Sequence, residues 1–192
     1  MALYQRIREI WKSPKENLGD LYRQRLLQWR REPSVVGIEK PTRLDRAREL
    51  GYKAKKGYVM ARVKVKGGGR MRPKFMGGRM PKNSRRKKVL SMNLQVVAEQ
   101  RAQRKYTNLE VLNSYQVMND SVHKWYEVIM VDPFRPEIKK DKRINWICAR
   151  KHTNRVFRGR TSAGQKFRGL RYKGKGVEKN RPSLGAHKRL GN

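Results

Sequence analysis

Between Glu49 and Glu99 this chain has no aspartate or glutamate at all. Residues 51–88 of that gap carry fifteen lysines and arginines threaded through glycine, proline and methionine. A segment so charged cannot enter a core, so it meets a polyanion or stays without a fold. Acid is scarce everywhere: 50 Lys+Arg face 15 Asp+Glu, a formal charge of +35 on 192 residues. Charge of that size selects the class of partner rather than the fold. The one cysteine, Cys148, excludes an internal disulfide and fits a reducing cytosol. Long apolar runs are missing too. Nothing approaches the ~20 residues that span a bilayer, and MALYQRIREIW lacks the apolar stretch of a signal peptide.

The charge is uneven. Residues 1–50 hold 12 basic and 7 acidic side chains, 89–141 hold 7 of each, and 142–192 hold 16 against 1. A near-neutral middle is thus flanked by cationic segments. At 36% hydrophobic the chain is too apolar to be wholly disordered and thin for a fully globular protein. One domain with a core of roughly 100–130 residues and extended basic arms is expected.

Leu3, Ile7, Ile10 and Trp11 recur at helical spacing. Ser13-Pro14-Lys15-Glu16 reads as a capping box with proline at the first helical position. The helix it opens has Leu18, Leu21, Tyr22, Leu26 and Trp29 on its apolar face and stops at or before Glu32, ahead of Pro33. Thr42 and Asp45 repeat the start signal for a third, short helix that Gly51 ends. From Tyr58 to Lys66 the period becomes two, with Val59, Ala61, Val63 and Val65 on one face and increasingly cationic residues on the other. Residues 67–91 then hold five glycines, two prolines and nine Lys or Arg, too many breakers for a regular element. A helix over about Met92–Lys105 and strands at about Leu109–Val117 and Trp125–Val131 follow. Ile144 to Cys148 is either a short fourth strand or a helical turn. Beyond Lys151 the chain is again basic and glycine-rich, with a short helix after Thr161-Ser162 the one regular element on offer. An α+β fold with a small antiparallel sheet is the economical reading. It divides into N-terminal helices and first strand (1–66), a basic loop (67–91), a helix and strand core (92–151) and a basic C-terminal extension (152–192).

The search for chemistry is mostly negative. Gly169-Leu170-Arg171-Tyr172-Lys173-Gly174-Lys175 begins like a phosphate-binding loop, but Gly176 stands where Ser or Thr must hold magnesium, and no buried-strand pattern leads into it. His123, His152 and His187 share no metal-ligand spacing, and Cys148 with His152 is half a site. That pair also lacks an orienting third group. No cofactor, small-molecule substrate or catalytic constellation is expected.

Polyanion recognition remains, and the details favour RNA. Guanidinium offers a fork for phosphates and a plane that stacks on bases. The loop interleaves Arg70, Arg72, Lys74, Arg79 and Lys82 with Met71, Phe75, Met76 and Met80, apolar groups suited to bases, while glycine admits phosphates to the backbone. The expected contacts are Lys53, Lys55 and Lys56; then Arg70, Arg72, Lys74, Phe75, Arg79, Lys82, Arg85, Arg86, Lys87 and Lys88; and, towards the C-terminus, Arg155, Arg158, Arg160, Lys166, Arg168, Arg171, Tyr172, Lys173 and Lys175. Residues 67–91 and 152–192 are expected to lack a fold in the free protein and to order on RNA.

The run from Arg158-Gly159-Arg160-Thr161-Ser162-Ala163-Gly164 through Lys166, Arg168-Gly169-Leu170 and Gly174-Lys175-Gly176 resembles the large-subunit ribosomal protein fifteen family of the eukaryotic and archaeal type. Further stretches carry the likeness over most of the chain: Lys40-Pro41-Thr42 to Arg46; Leu50-Gly51-Tyr52-Lys53-Ala54-Lys55 into Gly57-Tyr58-Val59; Val111-Leu112-Asn113-Ser114-Tyr115; Val131-Asp132-Pro133-Phe134; and Ile144-Asn145-Trp146-Ile147. The resemblance implies a structural protein of the large ribosomal subunit in the cytoplasm, with large-subunit ribosomal RNA and neighbouring ribosomal proteins as partners, no membrane, and a four-stranded antiparallel sheet. The chain ends at Leu190-Gly191-Asn192 without a long basic tail, which points to an archaeal source.

Three other classes share part of this pattern. A DNA-architectural protein would carry similar charge, but no zipper heptad, zinc pattern or reading helix is visible. An RNA-processing enzyme lacks its catalytic residues, and a membrane-surface protein has only Leu3–Trp11 as an anchor, a stripe better suited to a core.

Overall fold

The computed structural model describes residues 3–71, 77–79, 87–88 and 92–171. The N-terminal stripe forms helix α1 (Leu3–Ile10), followed by α2 (Pro14–Arg31). Pro14 occupies the start of α2 as expected, but the Ser13 hydroxyl makes no capping bond. The Ser13 carbonyl instead accepts from the Glu16 and Asn17 amides at 3.2 and 3.0 Å. The Asn17 carboxamide donates back to the Glu9 and Ile10 carbonyls, satisfying the open end of α1 and fixing the corner. Gly19, at φ 45°, kinks α2 within its second turn.

Strand β1 (Val35–Ile38) and helix α3 (Leu44–Glu49) come next, then β2 (Tyr58–Lys66) and a two-residue ladder of β3 (Arg70–Met71) with β4 (Lys87–Lys88). Helix α4 (Leu94–Lys105) is capped by Asn93, whose side chain accepts from the Val96 amide at 2.8 Å. Strands β5 (Glu110–Asn119) and β6 (His123–Val131), the short helix α5 (Pro136–Lys139), two 3-10 turns (Asn145–Cys148 and Arg150–His152) and α6 (Ser162–Phe167) complete the described chain.

The four-stranded sheet is antiparallel throughout, in the order β1-β2-β6-β5. Its fourth strand is β1 and not Ile144–Cys148, which resolves as a 3-10 turn burying Ile147. Helix α3 starts one residue later than Thr42 predicts, with Arg43 at the cap position, and the Thr42 amide ahead of it donates to the buried Glu127 carboxylate at 3.1 and 3.2 Å.

Both faces of the sheet are covered. Ala61, Val63 and Val65 of β2 pack with Tyr126, Val128 and Met130 of β6 beneath Ala98 and Ala102 of α4. On the opposite face Met60, Trp125 and Ile129 meet Tyr22 and Trp29 of α2 and Ala47 of α3. The face of β2 that reads as cationic is therefore not free. Arg62 lies over the Trp29 ring at 4.2 Å and grips Glu32 through two nitrogens, and Lys64 donates to the Arg30 and Glu32 carbonyls.

The first part of the C-terminal segment departs from the expected arm. Val156 is buried in the α4 side of the core, and Thr161 and Ala163 are buried with it. Thr161 caps α6 by accepting from the Gly164 amide at 3.1 Å and donates to Glu99 of α4 at 2.6 Å. Close packing demands the glycines here: a Cβ on Gly164 would lie 2.7 Å from the Gly159 backbone. Residues 152–171 are pinned to the core by contacts that a composition of arginine and glycine does not advertise.

Candidate nucleic-acid interface

Nine of the fifteen acids are buried or held by a cation, while Glu9, Glu16, Asp20 and Glu39 are exposed. Asp45, Glu99, Glu110 and Glu127 are at most 6% exposed. Glu32, Glu49, Asp120, Asp132 and Asp141 are engaged by arginine or lysine. Burial raises the pKa of Glu99 and of Glu127, against the lowering effect of hydrogen bonds from Ser114 and Thr161 to the first and from Thr42 and Tyr115 to the second. The solvent-facing charge is consequently strongly positive, because exposed cations far outnumber the few exposed carboxylates.

Three basic segments present those cations. The turn between α3 and β2 carries Lys53, Lys55 and Lys56. Lys53 and Lys55 each hold an Asp141 oxygen at 2.7 Å, and these two hydrogen bonds draw the Asp141 pKa far below the usual carboxylate range. Both lysines are thereby positioned at a cost in free charge, whereas Lys56 is exposed. The second segment is the β3–β4 ladder, whose register sets Arg70 opposite Lys88. Arg79, beyond the ladder's first strand, is exposed.

The third segment runs from the second 3-10 turn through α6. Arg158 donates to the Lys151 and Thr153 carbonyls, and Arg160 donates to the Lys151 carbonyl at 2.8 Å. Both remain exposed, and a guanidinium has five donors, so each is oriented by the protein with N–H groups left for a phosphate. Lys166 is exposed, and Arg171 reaches Gln165 at 3.4 Å. Arg168 is half-buried, and its aliphatic stem covers Gly159.

Arg155 is the correction among the expected contacts. It is buried, with its guanidinium donating to the carbonyls of Val111, Leu112 and Arg160 and lying 5.0 Å from the Trp146 ring. Its charge serves the protein's own backbone. Of the other expected contacts, Arg72, Lys74, Phe75, Lys82, Arg85, Arg86, Tyr172, Lys173 and Lys175 lie outside the described residues, and for Arg70, Lys87 and Lys88 the structure gives the backbone pairing.

The sequence reading passed over exposed aromatics beside these cations. Phe134 is 75% exposed with Lys139 near its ring, and Phe157 is 43% exposed with the Arg104 guanidinium 5.4 Å away. For Phe157 the signal is its place in the basic stretch Arg155-Val156-Phe157-Arg158-Gly159-Arg160; Phe134, between Pro133 and Arg135, has no such marker. Such rings are sequence-tolerant stacking platforms for unpaired bases.

The sequence model of the Ribosomal L15 family matches residues 2–187. The chain belongs to the Ribosomal L15 family. It is similar to the large ribosomal subunit protein eL15 of Nanoarchaeum equitans (strain Kin4-M), 52% identical over 187 residues that make up 97% of this chain and 98% of that protein. The eL15 of Methanocella arvoryzae (strain DSM 22066 / NBRC 105507 / MRE50) is 52% identical over 192 residues, 99% of this chain and 98% of that protein. Both relatives are archaeal, in agreement with the source expected from the sequence. Family membership and the antiparallel four-stranded sheet agree with what the quoted stretches implied.

Proposed function

We propose that this Ribosomal L15 family member is a non-catalytic structural constituent of the large ribosomal subunit in the cytoplasm, binding and stabilising folded large-subunit ribosomal RNA beside neighbouring ribosomal proteins. The observation that carries the proposal is the segregation of charge: the carboxylates near these segments sit in the core or in ion pairs, while the turn before β2 and the Lys151–Arg171 region offer oriented, exposed cations. The names of the two archaeal relatives supply the particle.

Where RNA helices converge, phosphates repel one another. Cationic segments laid between them neutralise that repulsion, release condensed counterions and hold the helices in register. Double-helical RNA hides its base edges in a deep, narrow groove, so recognition rests on phosphate positions and shape, with local stacking on exposed rings. Lys56, Arg79, Arg158, Arg160, Lys166 and Arg171 are the described contacts we propose, with Lys53, Lys55 and Arg168 oriented behind them. The test is sedimentation of native lysate before and after a high-salt wash. Retention with the large particle through the wash supports an integral role, and release into the soluble or chromatin fraction overturns it.

A further inference from the structure

Three of the stretches that carry the family resemblance are distant in sequence and meet around one recess. Leu50 to Lys53, Leu112 with Asn113, and Ile144 with Trp146 line a cavity of about 450 Å3. That volume lies within the range of about 300–1,000 Å3 typical of small-molecule sites. We infer that this recess receives a single unstacked nucleotide of the RNA, its base against the aromatic walls and its phosphate on the cationic rim. The inference rests on the RNA-binding function proposed above and adds a specific site to it.

The walls are rigid and aromatic. Tyr52 is braced edge-on by Tyr58, with ring centroids 6.1 Å apart. Trp146 is 37% exposed and is braced edge-on by His152 at 4.9 Å, with the buried Arg155 guanidinium beside its ring. The role of Arg155 thus becomes legible: it orients a tryptophan that faces the recess. The floor is made by a defect in the sheet. The β5–β6 register shifts between Val111 and Asn113, so Leu112 falls out of the ladder and lines the recess with Asn113. Bulges characteristically re-aim side chains at sites of this kind. The Asn113 carbonyl oxygen accepts from the Ser114 amide at 2.9 Å, which fixes the carboxamide and leaves its NH2 group as a donor for a base edge.

The rim supplies the charge. Arg48, Lys53 and Arg143 line it together with one acid, Glu49, which is already paired with Arg8 and Arg46. Arg143 is exposed, and its backbone amide is anchored to Asp141 at 3.0 Å, the carboxylate that also holds Lys53. Flat aromatic surface beneath a cationic edge matches the two halves of a nucleotide, a base that stacks and a phosphate that pairs. A neighbouring protein's acidic or apolar side chain would use the rim or the walls but not both. The recess has no glycine-rich phosphate cradle of the kind that holds free nucleotides, so a nucleotide delivered by an RNA strand is the favoured occupant.

The experiment is site-specific photocrosslinking in the assembled particle. Full-length protein carrying Tyr52→p-benzoylphenylalanine is expressed in cells, large particles are purified and irradiated, and adducts are mapped by reverse transcription and by mass. The expected result is a reverse-transcription stop at one position, or two adjacent positions, of the large-subunit RNA. Trp146→Ala should then raise the chemical reactivity of that base several-fold while the protein still co-sediments. If Trp146→Ala fails to assemble, Arg143→Ala on the exposed rim provides the same readout. An adduct to a protein neighbour, or no discrete RNA adduct from a particle that retains the protein, overturns the site and leaves the RNA-binding function standing. Absence of the unmodified protein from the large particle overturns both.

Discussion

Thr161→Val removes one hydroxyl and little else, yet that hydroxyl is fully buried and has two duties. It accepts from the Gly164 amide at 3.1 Å as the cap of α6 and donates to Glu99 at 2.6 Å. Losing a threonine cap costs about 0.5–2 kcal/mol. Leaving a buried carboxyl oxygen without its hydrogen-bond partner costs about 1–3 kcal/mol. The two terms share one atom and do not add fully, so a loss of about 2–4 kcal/mol is expected, a large part of the ~5–15 kcal/mol that holds a typical domain together. Urea unfolding of the full chain at neutral pH measures it, with an unchanged denaturant slope certifying that stability rather than compactness has moved. Glu99→Gln and the double variant complete a cycle, in which a coupling of about 1 kcal/mol or more is expected between directly bonded groups. Hydrogen exchange at the Gly164 and Gln165 amides should accelerate in parallel. A loss under about 0.5 kcal/mol, or additive single effects, would refute the view that Thr161 latches the basic segment to the core.

Burial raises the folded-state pKa of Glu99 above its ordinary value, so between the unfolded and folded pKa values the native state holds more protons and stability falls as pH rises through that window. Glu99→Gln keeps a donor and an acceptor for Ser114 and Thr161 but removes the titration, so its stability relative to the parent should improve as pH climbs above about 4.5; a pH-independent difference counts against the assignment. Gly164→Ala would push a Cβ to 2.7 Å from the Gly159 backbone, where nothing flexible yields; a loss of about 1–3 kcal/mol in thermal or urea unfolding is expected, and a neutral substitution contradicts the packing. Binding to large-subunit RNA should weaken by roughly 0.7–0.9 log units per log unit of salt for each phosphate neutralised. Filter binding across a salt series that returned a flat line would rule out phosphate neutralisation as the source of affinity.

Local pattern carried the sheet's interior and its covering helix. β2, β5 and β6 show themselves as alternating or β-branched runs, and α4 as an apolar stripe of Leu94, Val97, Ala98 and Ala102. The edge strand β1 is four residues with a glycine, Val35–Ile38, too short for periodicity to register, and its identity as a strand comes from pairing with β2. Ile144–Cys148 stayed ambiguous for a related reason, since five mostly apolar residues suit a strand or a turn until the packing of Ile147 against Val131 and Ile138 decides. Charge was legible in amount and sign but not in destination. Nothing local distinguishes Arg155, spent on the carbonyls of β5, from Arg158 three residues on, whose guanidinium reaches the surface.

The same limit explains why the basic C-terminal segment reads as an arm and folds, up to residue 171, as part of the core. Its anchors, Thr161 and Val156, are two residues among arginines and glycines, and their partners lie far back in the chain, Glu99 sixty-two positions before Thr161 and the apolar residues of β2, α4 and β6 around Val156. A single acid on α4, buried and held by hydroxyls from β5 and from the start of α6, therefore does what a hydrophobic stripe does elsewhere: it fixes where a strongly cationic segment sits. For a chain with so few acids this placement has a further consequence. An exposed carboxylate beside Arg158 and Arg160 would compete with phosphate for their free donors, whereas a carboxylate buried beneath the segment orders it without screening the exposed cationic face.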